Sequence, residues 1–199
     1  MMLDAFHRVR ARLSAHDPQR IDEPGSLPAA VALVLVPSVS GSDLDLLFIK
    51  RAEVAGDPWS GQMALPGGRR DPRDRDLLAT AVRETREETG IFLDPSTLLG
   101  ALDDYTPRTV RLPPVVVSPF VFGLEERPEV VLSPEATLHV WVGTDELRRT
   151  LAQRQVMARD ELRVVSSFLA GGHIVWGLTE RILTPFLELA SDPQPRTPV

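Results

Sequence analysis

The sequence predicts an α/β fold, with helices packed against a mixed β-sheet. Three observations carry this. The chain has 199 residues, the usual size of one globular domain, with 43% hydrophobic and 25% charged residues, as in an ordinary packed core. Continuous or alternating apolar runs of strand length lie between segments whose apolar residues recur at helical spacing. The two kinds of segment do not alternate regularly, which sets the fold apart from a doubly wound parallel sheet.

The elements follow in order. Leu3, Phe6, Val9, Arg10 and Leu13 recur at helical spacing and predict a short amphipathic opening helix. His16 to Pro28, with its prolines and Gly25, reads as a connector. Ala29 to Val36 reads as a buried strand and Leu44 to Lys50 as a second, with a turn over Val39 to Asp43. Ala52 to Gly68 is rich in Gly, Pro and Trp without periodicity, the mark of a functional or mobile loop. Asp76 to Thr89 is the clearest helix, closed by Gly90 as its C-terminal cap. Leu98 to Tyr105, Pro114 to Phe122 and Ala136 to Val142 predict further strands. Thr144 is expected to cap a helix through Leu151. Glu161 to Leu169 and His173 to Trp176 predict a hairpin around Gly171 and Gly172, and Leu178 to Ala190 a closing helix. The division expected is a helix and linker over 1–28, a main domain over 29–190 and a frayed tail over 191–199.

Composition narrows the function. No cysteine is present, which excludes a disulfide scaffold, a thiolate metal site and a cysteine nucleophile. Lys and Arg number 22 against 28 Asp and Glu, a net charge of −6, which disfavours nonspecific nucleic-acid binding. The longest apolar run, Ala29 to Val36, is far short of the roughly 20 residues that cross a bilayer as a helix. A soluble, cytoplasmic protein is the expectation. His7, His16, His139 and His173 show no metal-ligand spacing, and no serine sits in a nucleophile elbow.

The chemistry concentrates in Pro66-Gly67-Gly68-Arg69-Arg70-Asp71-Pro72 and in Arg83-Glu84-Thr85-Arg86-Glu87-Glu88-Thr89-Gly90-Ile91. At about 100° per residue, Glu84, Glu87 and Glu88 fall on one arc of the helix. Leu78, Ala81, Val82, Thr85 and Thr89 gather opposite, so all three carboxylates are expected to point outward together. Like charges at spacings of three and four cost roughly 0.2–0.5 kcal/mol per pair, and the last helical turn disfavours anions. The pattern makes sense if a hard divalent cation such as Mg²⁺ or Mn²⁺ occupies the face. The bland alternative is a solvated face with Arg83 and Arg86 as local partners. Gly67-Gly68 favours the first reading, because glycines let a ligand approach the main chain.

Gly68 to Ile91 resembles the Nudix box, whose pattern is Gly, five residues, Glu, seven residues, then Arg-Glu-apolar-x-Glu-Glu-x-Gly-apolar. Asp74 stands where Glu is expected, with one extra residue before Arg83, and Thr85 replaces the apolar position. Pro66-Gly67-Gly68-Arg69-Arg70-Asp71-Pro72-Arg73-Asp74 is similar to the coenzyme A pyrophosphatase branch of that family. Gly61-Gln62-Met63-Ala64-Leu65-Pro66 before the box, Leu99 to Tyr105 with Pro114-Val115-Val116 after it, and Trp176-Gly177-Leu178-Thr179 are also similar to that branch. Where that branch has a basic residue and a histidine, this chain has Gly56-Asp57-Pro58-Trp59-Ser60, so Trp59 either stacks on a nucleobase or plugs the loop onto the core.

The resemblance implies a Nudix-type α/β/α sandwich and hydrolysis of the diphosphate of a nucleoside diphosphate derivative. It implies coenzyme A or its thioesters as substrate, with ADP-ribose, dinucleotides, nucleoside triphosphates or a non-catalytic nucleotide sensor as alternatives. Glu84, Glu87 and Glu88, with the Gly68 carbonyl, would bind Mg²⁺ or Mn²⁺, and Arg83 would hold the glutamates through Asp74. The substrate-binding set is Arg51, Trp59, Gly67, Gly68 and Arg69. Glu135 is the first candidate for general base, with Glu125, Glu126 and Glu129 as rivals. No nucleic-acid or membrane partner is implied, and a homodimer is compatible with the family.

Overall fold

A computed structural model describes residues 2–38, 44–57, 59–107, 114–158 and 161–191. The expected turn over Val39 to Asp43 and the tail beyond Ser191 lie outside the described residues. Strand β1 (Leu27–Pro37) forms the centre, and its unbroken apolar run has a physical cause. Its odd positions Ala29, Leu33 and Leu35 enter one hydrophobic core, while Ala30, Ala32 and Val34 enter another. A strand covered on both faces has no reason to alternate with polar residues.

The remaining strands are β2 (Leu44–Arg51), β3 (Met63–Ala64), β4 (Gly67–Arg69), β5 (Leu98–Ala101), β6 (Val115–Gly123), β7 (Ala136–Gly143), β8 (Ala152–Ala158), β9 (Glu161–Ala170) and β10 (His173–Trp176). Strands β1 to β7 make one mixed sheet with the path β3-β2-β1-β6-β5. β1 runs parallel to β6, Leu27 opposite Val115 through Leu35 opposite Gly123. On its other edge β1 pairs antiparallel with β2 near Leu35 and with β4 from Ala29 to Val31. Helix α2 (Leu77–Thr89) packs on one face through Ala81. Helices α1 (Met2–Ala15) and α4 (Leu178–Ala190) cover the other face through Val9, Leu13, Ile182, Leu183 and Phe186. This is the expected α/β/α sandwich with a mixed sheet. Among the described residues no helix is long and apolar enough to cross a membrane.

Several expectations need correction. The loop over Ala52 to Gly68 contains the short strands β3 and β4, because its Gly-Gly segment pairs with the edge of β1. The strand expected to reach Tyr105 stops at Ala101. There the carboxylates of Asp103 and Asp104 turn instead to the connector, accepting from the main-chain N–H of Gln19 at 2.9 Å and of Ile21 at 3.0 Å. Thr144 does not cap α3 (Thr144–Thr150); it is the first helical residue, buried, after Gly143. The hairpin is part of a three-stranded sheet, β10-β9-β8, and β8 left no signal because it is short and mostly exposed, with Val156 its one buried residue.

Candidate active site

Helix α2 begins and ends on its own sequence. The Asp76 carboxylate caps it by accepting the Ala79 N–H at 2.7 Å, and Gly90 closes it in the left-handed region at φ 72°. Thr85, at the box's apolar position, is fully buried and donates its hydroxyl to the Ala81 carbonyl at 2.7 Å, so that hydroxyl is not left unpaired.

The helix is rotated from the sequence expectation. Thr80, Ala81, Thr85, Glu88 and Thr89 are buried, whereas Leu78 and Val82 are only half-buried. Glu88, at 3% exposure, therefore points in toward β4 and not outward, and its carboxylate accepts the Gly67 N–H at 2.9 Å. Glu84 lies against Gly68, where a Cβ would come within 2.4–2.6 Å of its carboxyl atoms. Only Glu87, with its side chain 59% exposed, is turned to solvent. The short β4 ladder is what brings the Gly67-Gly68 backbone up to the helix.

Burial is the main force on Glu88 and pushes its carboxyl up to about 7; the Gly67 N–H opposes the shift, Glu84 adds to it, Arg51 opposes it and Glu135 adds to it. Burial also raises Glu84. Asp74 goes the other way, held down at about 2 chiefly by hydrogen bonds from Arg83. A carboxyl raised in the fold favours folding while protonated, below its unfolded value near 4.5, and that contribution is lost as pH rises through about 7. Metal-free protein is therefore expected to melt at falling temperature from pH 5 to 7.5, and Glu88→Gln to flatten that slope. Saturating Mg²⁺ should raise the melting temperature at the upper end of the range; calorimetry across pH, with and without chelator, checks both.

One cleft of about 740 Å³ gathers the expected residues: Arg51, Trp59, Gly67, Gly68, Arg69, Glu84, Glu87, Glu88 and Glu135 all line it. Arg83 is not part of this lining. Glu135 arrives there because the preceding loop satisfies the last carbonyls of α2: Val131 N–H donates to Thr89 at 2.8 Å and Ser133 N–H to Glu88 at 3.0 Å. Glu125, Glu126 and Glu129 are exposed and do not line the cleft. Trp59 is half-buried on its wall, its main-chain N–H donated to the Asp57 carboxylate, which also pairs with Arg51 at 3.0 Å. Sequence reasoning missed Asp57, Gln62 and Ser133 as lining residues, since single polar residues in loops carry no pattern. It also missed the apolar part of the lining, to which Met63, Leu65, Val115, Val117, Leu178 and Ile182 contribute.

The donor set suits a hard divalent cation: carboxylate oxygens of Glu84, Glu87 and Glu88 beside a main chain that Gly68 leaves open as a cradle. Among the described residues no three acidic groups converge on one point as the side chains stand. The Arg83 guanidinium stands between two of them, at 2.8 Å from Glu84 and 3.0 Å from Glu87.

Residues 27–162 match the family model described as NUDIX domain. A mitochondrial coenzyme A diphosphatase of Homo sapiens is 36% identical over 167 residues, covering 79% of this chain and 67% of that protein. A protein of Schizosaccharomyces pombe is 38% identical over 109 residues, 53% of this chain, and the match spans only 31% of its length. Among solved structures, a MutT/nudix family protein of Enterococcus faecalis superposes with a TM-score of 0.55 over 85% of this chain and 63% of that one, at 18% identity. That likeness speaks to the fold.

Proposed function

The chain belongs to the Nudix hydrolase family, which acts on diphosphate bonds of nucleoside diphosphate derivatives, and from that premise we propose that it is a metal-dependent pyrophosphatase of coenzyme A or acyl-CoA. The products would be 4′-phosphopantetheine, or its acylated form, and adenosine 3′,5′-bisphosphate. The observation that carries the reading is the mixed lining of the cleft, in which carboxylates and the Gly67-Gly68 turn share one cavity with apolar side chains such as Met63, Leu65 and Leu178. A diphosphate bearing one polar nucleotide and one long uncharged arm suits such a lining. The name of the human relative points the same way.

Nudix hydrolases generally use divalent cations such as Mg²⁺ or Mn²⁺. Glu84, Glu87, Glu88 and the Gly68 carbonyl would hold the cation here. When bound, it would lower the pKa of an attacking water and offset charge on the phosphoryl oxygens. The chain's own groups do the rest. Arg69, exposed at the cleft, and Arg51 supply positive charge for an anionic substrate in a protein of net charge −6. Glu135, exposed in the same lining, would accept a proton as general base. Trp59 offers an aromatic face for the base or the uncharged arm. A cytoplasmic location belongs to this reading as well; the human relative is named mitochondrial, and cell fractionation decides.

The test is a substrate panel of coenzyme A, acetyl-CoA, ADP-ribose, NADH, a diadenosine polyphosphate and dNTPs with Mg²⁺ or Mn²⁺, scored by product mass. Fastest turnover of coenzyme A or its thioester, with 4′-phosphopantetheine or its acetyl form released, is expected. Faster turnover of ADP-ribose or a dinucleotide would replace the substrate assignment, and absence of turnover on every member would leave a nucleotide-binding module.

A further inference from the structure

All five N–H donors of Arg83 are engaged. Nε donates to Asp74 at 3.0 Å, and Nη2 donates to Asp74 at 2.9 Å and to the Arg69 carbonyl at 3.1 Å. Nη1 donates to Glu84 at 2.8 Å and to Glu87 at 3.0 Å. The two ends of this fork differ in firmness. Asp74, with its side chain 7% exposed, also accepts from the Thr80 hydroxyl at 2.9 Å and the Asp71 N–H at 3.0 Å, so it cannot turn away. At the other end the Glu84 and Glu87 side chains are 16% and 59% exposed, and Arg83 bonds both.

We propose that Arg83 is a tethered counter-ion. In the cation-free protein it neutralises Glu84 and Glu87, and it gives them up to a divalent cation while Asp74 and the Arg69 carbonyl keep its guanidinium beside the site. The inference rests on the reading of these glutamates as metal ligands. Its physical basis is competition for the same lone pairs: a carboxylate oxygen that accepts a guanidinium N–H is not fully available to a metal ion. The benefit appears without metal, since Glu84 and Glu87 stand three residues apart and repel each other. A lysine cannot grip Asp74 with two N–H groups and also bridge both glutamates, which accounts for arginine here. Arg83 therefore opposes metal binding in the ground state, the reverse of what a residue that merely holds ligands in place would do.

The direction of one affinity change decides. Mn²⁺ is titrated calorimetrically into the full chain and into Arg83→Gln. The variant is expected to bind Mn²⁺ roughly three- to tenfold more tightly, the range open to two ion pairs at a partly exposed site. Its metal-free melting temperature should fall, and the rise on adding Mn²⁺ should grow. Unchanged or weaker binding overturns the proposal. If Arg83→Gln does not fold without metal, the wild-type guanidinium is followed by NMR. At saturating Mg²⁺ the Nη1 protons should lose their protection while the Nε proton keeps its own; persistent Nη1 protection overturns the proposal. Wild-type protein that binds no Mn²⁺ removes the metal-site reading itself, and the counter-ion with it.

Discussion

Glu88→Gln and Glu87→Gln are each expected to lower hydrolysis by about 10²–10⁴-fold, the span typical of losing a charged group that acts in the reaction. The fold should survive both changes for different reasons. Glu87 is on the surface, and its bond to Arg83 is a partly exposed ion pair of little structural weight. Glu88 is buried, but the carboxamide oxygen of Gln can still accept the Gly67 N–H, and a neutral group suits that environment better than a carboxylate. Loss of activity with an unchanged or raised metal-free melting temperature is thus the expected signature for Glu88→Gln. Both variants retaining wild-type turnover and metal dependence would remove these glutamates from the chemistry.

Gly67→Ala is expected to have the largest effect on stability, roughly 2–4 kcal/mol. Gly67 has φ 153°, and a Cβ there would lie 2.3 Å from the Ala30 carbonyl oxygen and 2.6 Å from the Val31 Cα. Both contacts are to main chain in β1, which cannot step aside without breaking its pairing with β6. Gly172→Ala is the control: it also has positive φ, at 83°, but open space around the site, so only about 1 kcal/mol of backbone strain is expected. Urea unfolding of both variants separates the clash from the strain. Equal losses would show that the β4–β1 approach is looser than described.

The sequence revealed those parts of this molecule that are set by local chemistry. Asp76 and Gly90 announce the ends of α2 because capping depends on single side chains and one backbone conformation. The apolar run of β1 announces a doubly covered strand. What could not be read is orientation set by contacts distant in sequence. The burial of Glu88 follows from the pairing of Gly67–Arg69 with Ala29–Val31, and periodicity within the helix carries no trace of it. Likewise β8 is held by its ladder to β9 from Ala152 opposite Ser167 to Ala158 opposite Glu161, so its own residues need no apolar pattern. Glu135 was legible by family resemblance, yet the hydrogen bonds that bring it to the cleft run from main-chain groups and have no side-chain signature.

The parallel pairing of residues 27–35 with 115–123 also bears on how the protein is made. Synthesis proceeds from the N-terminus, so the apolar central strand leaves the ribosome well before its neighbour on that edge exists. Until the later segment emerges, the nascent chain carries a bare hydrophobic ribbon, the kind of surface on which aggregation starts and chaperones act.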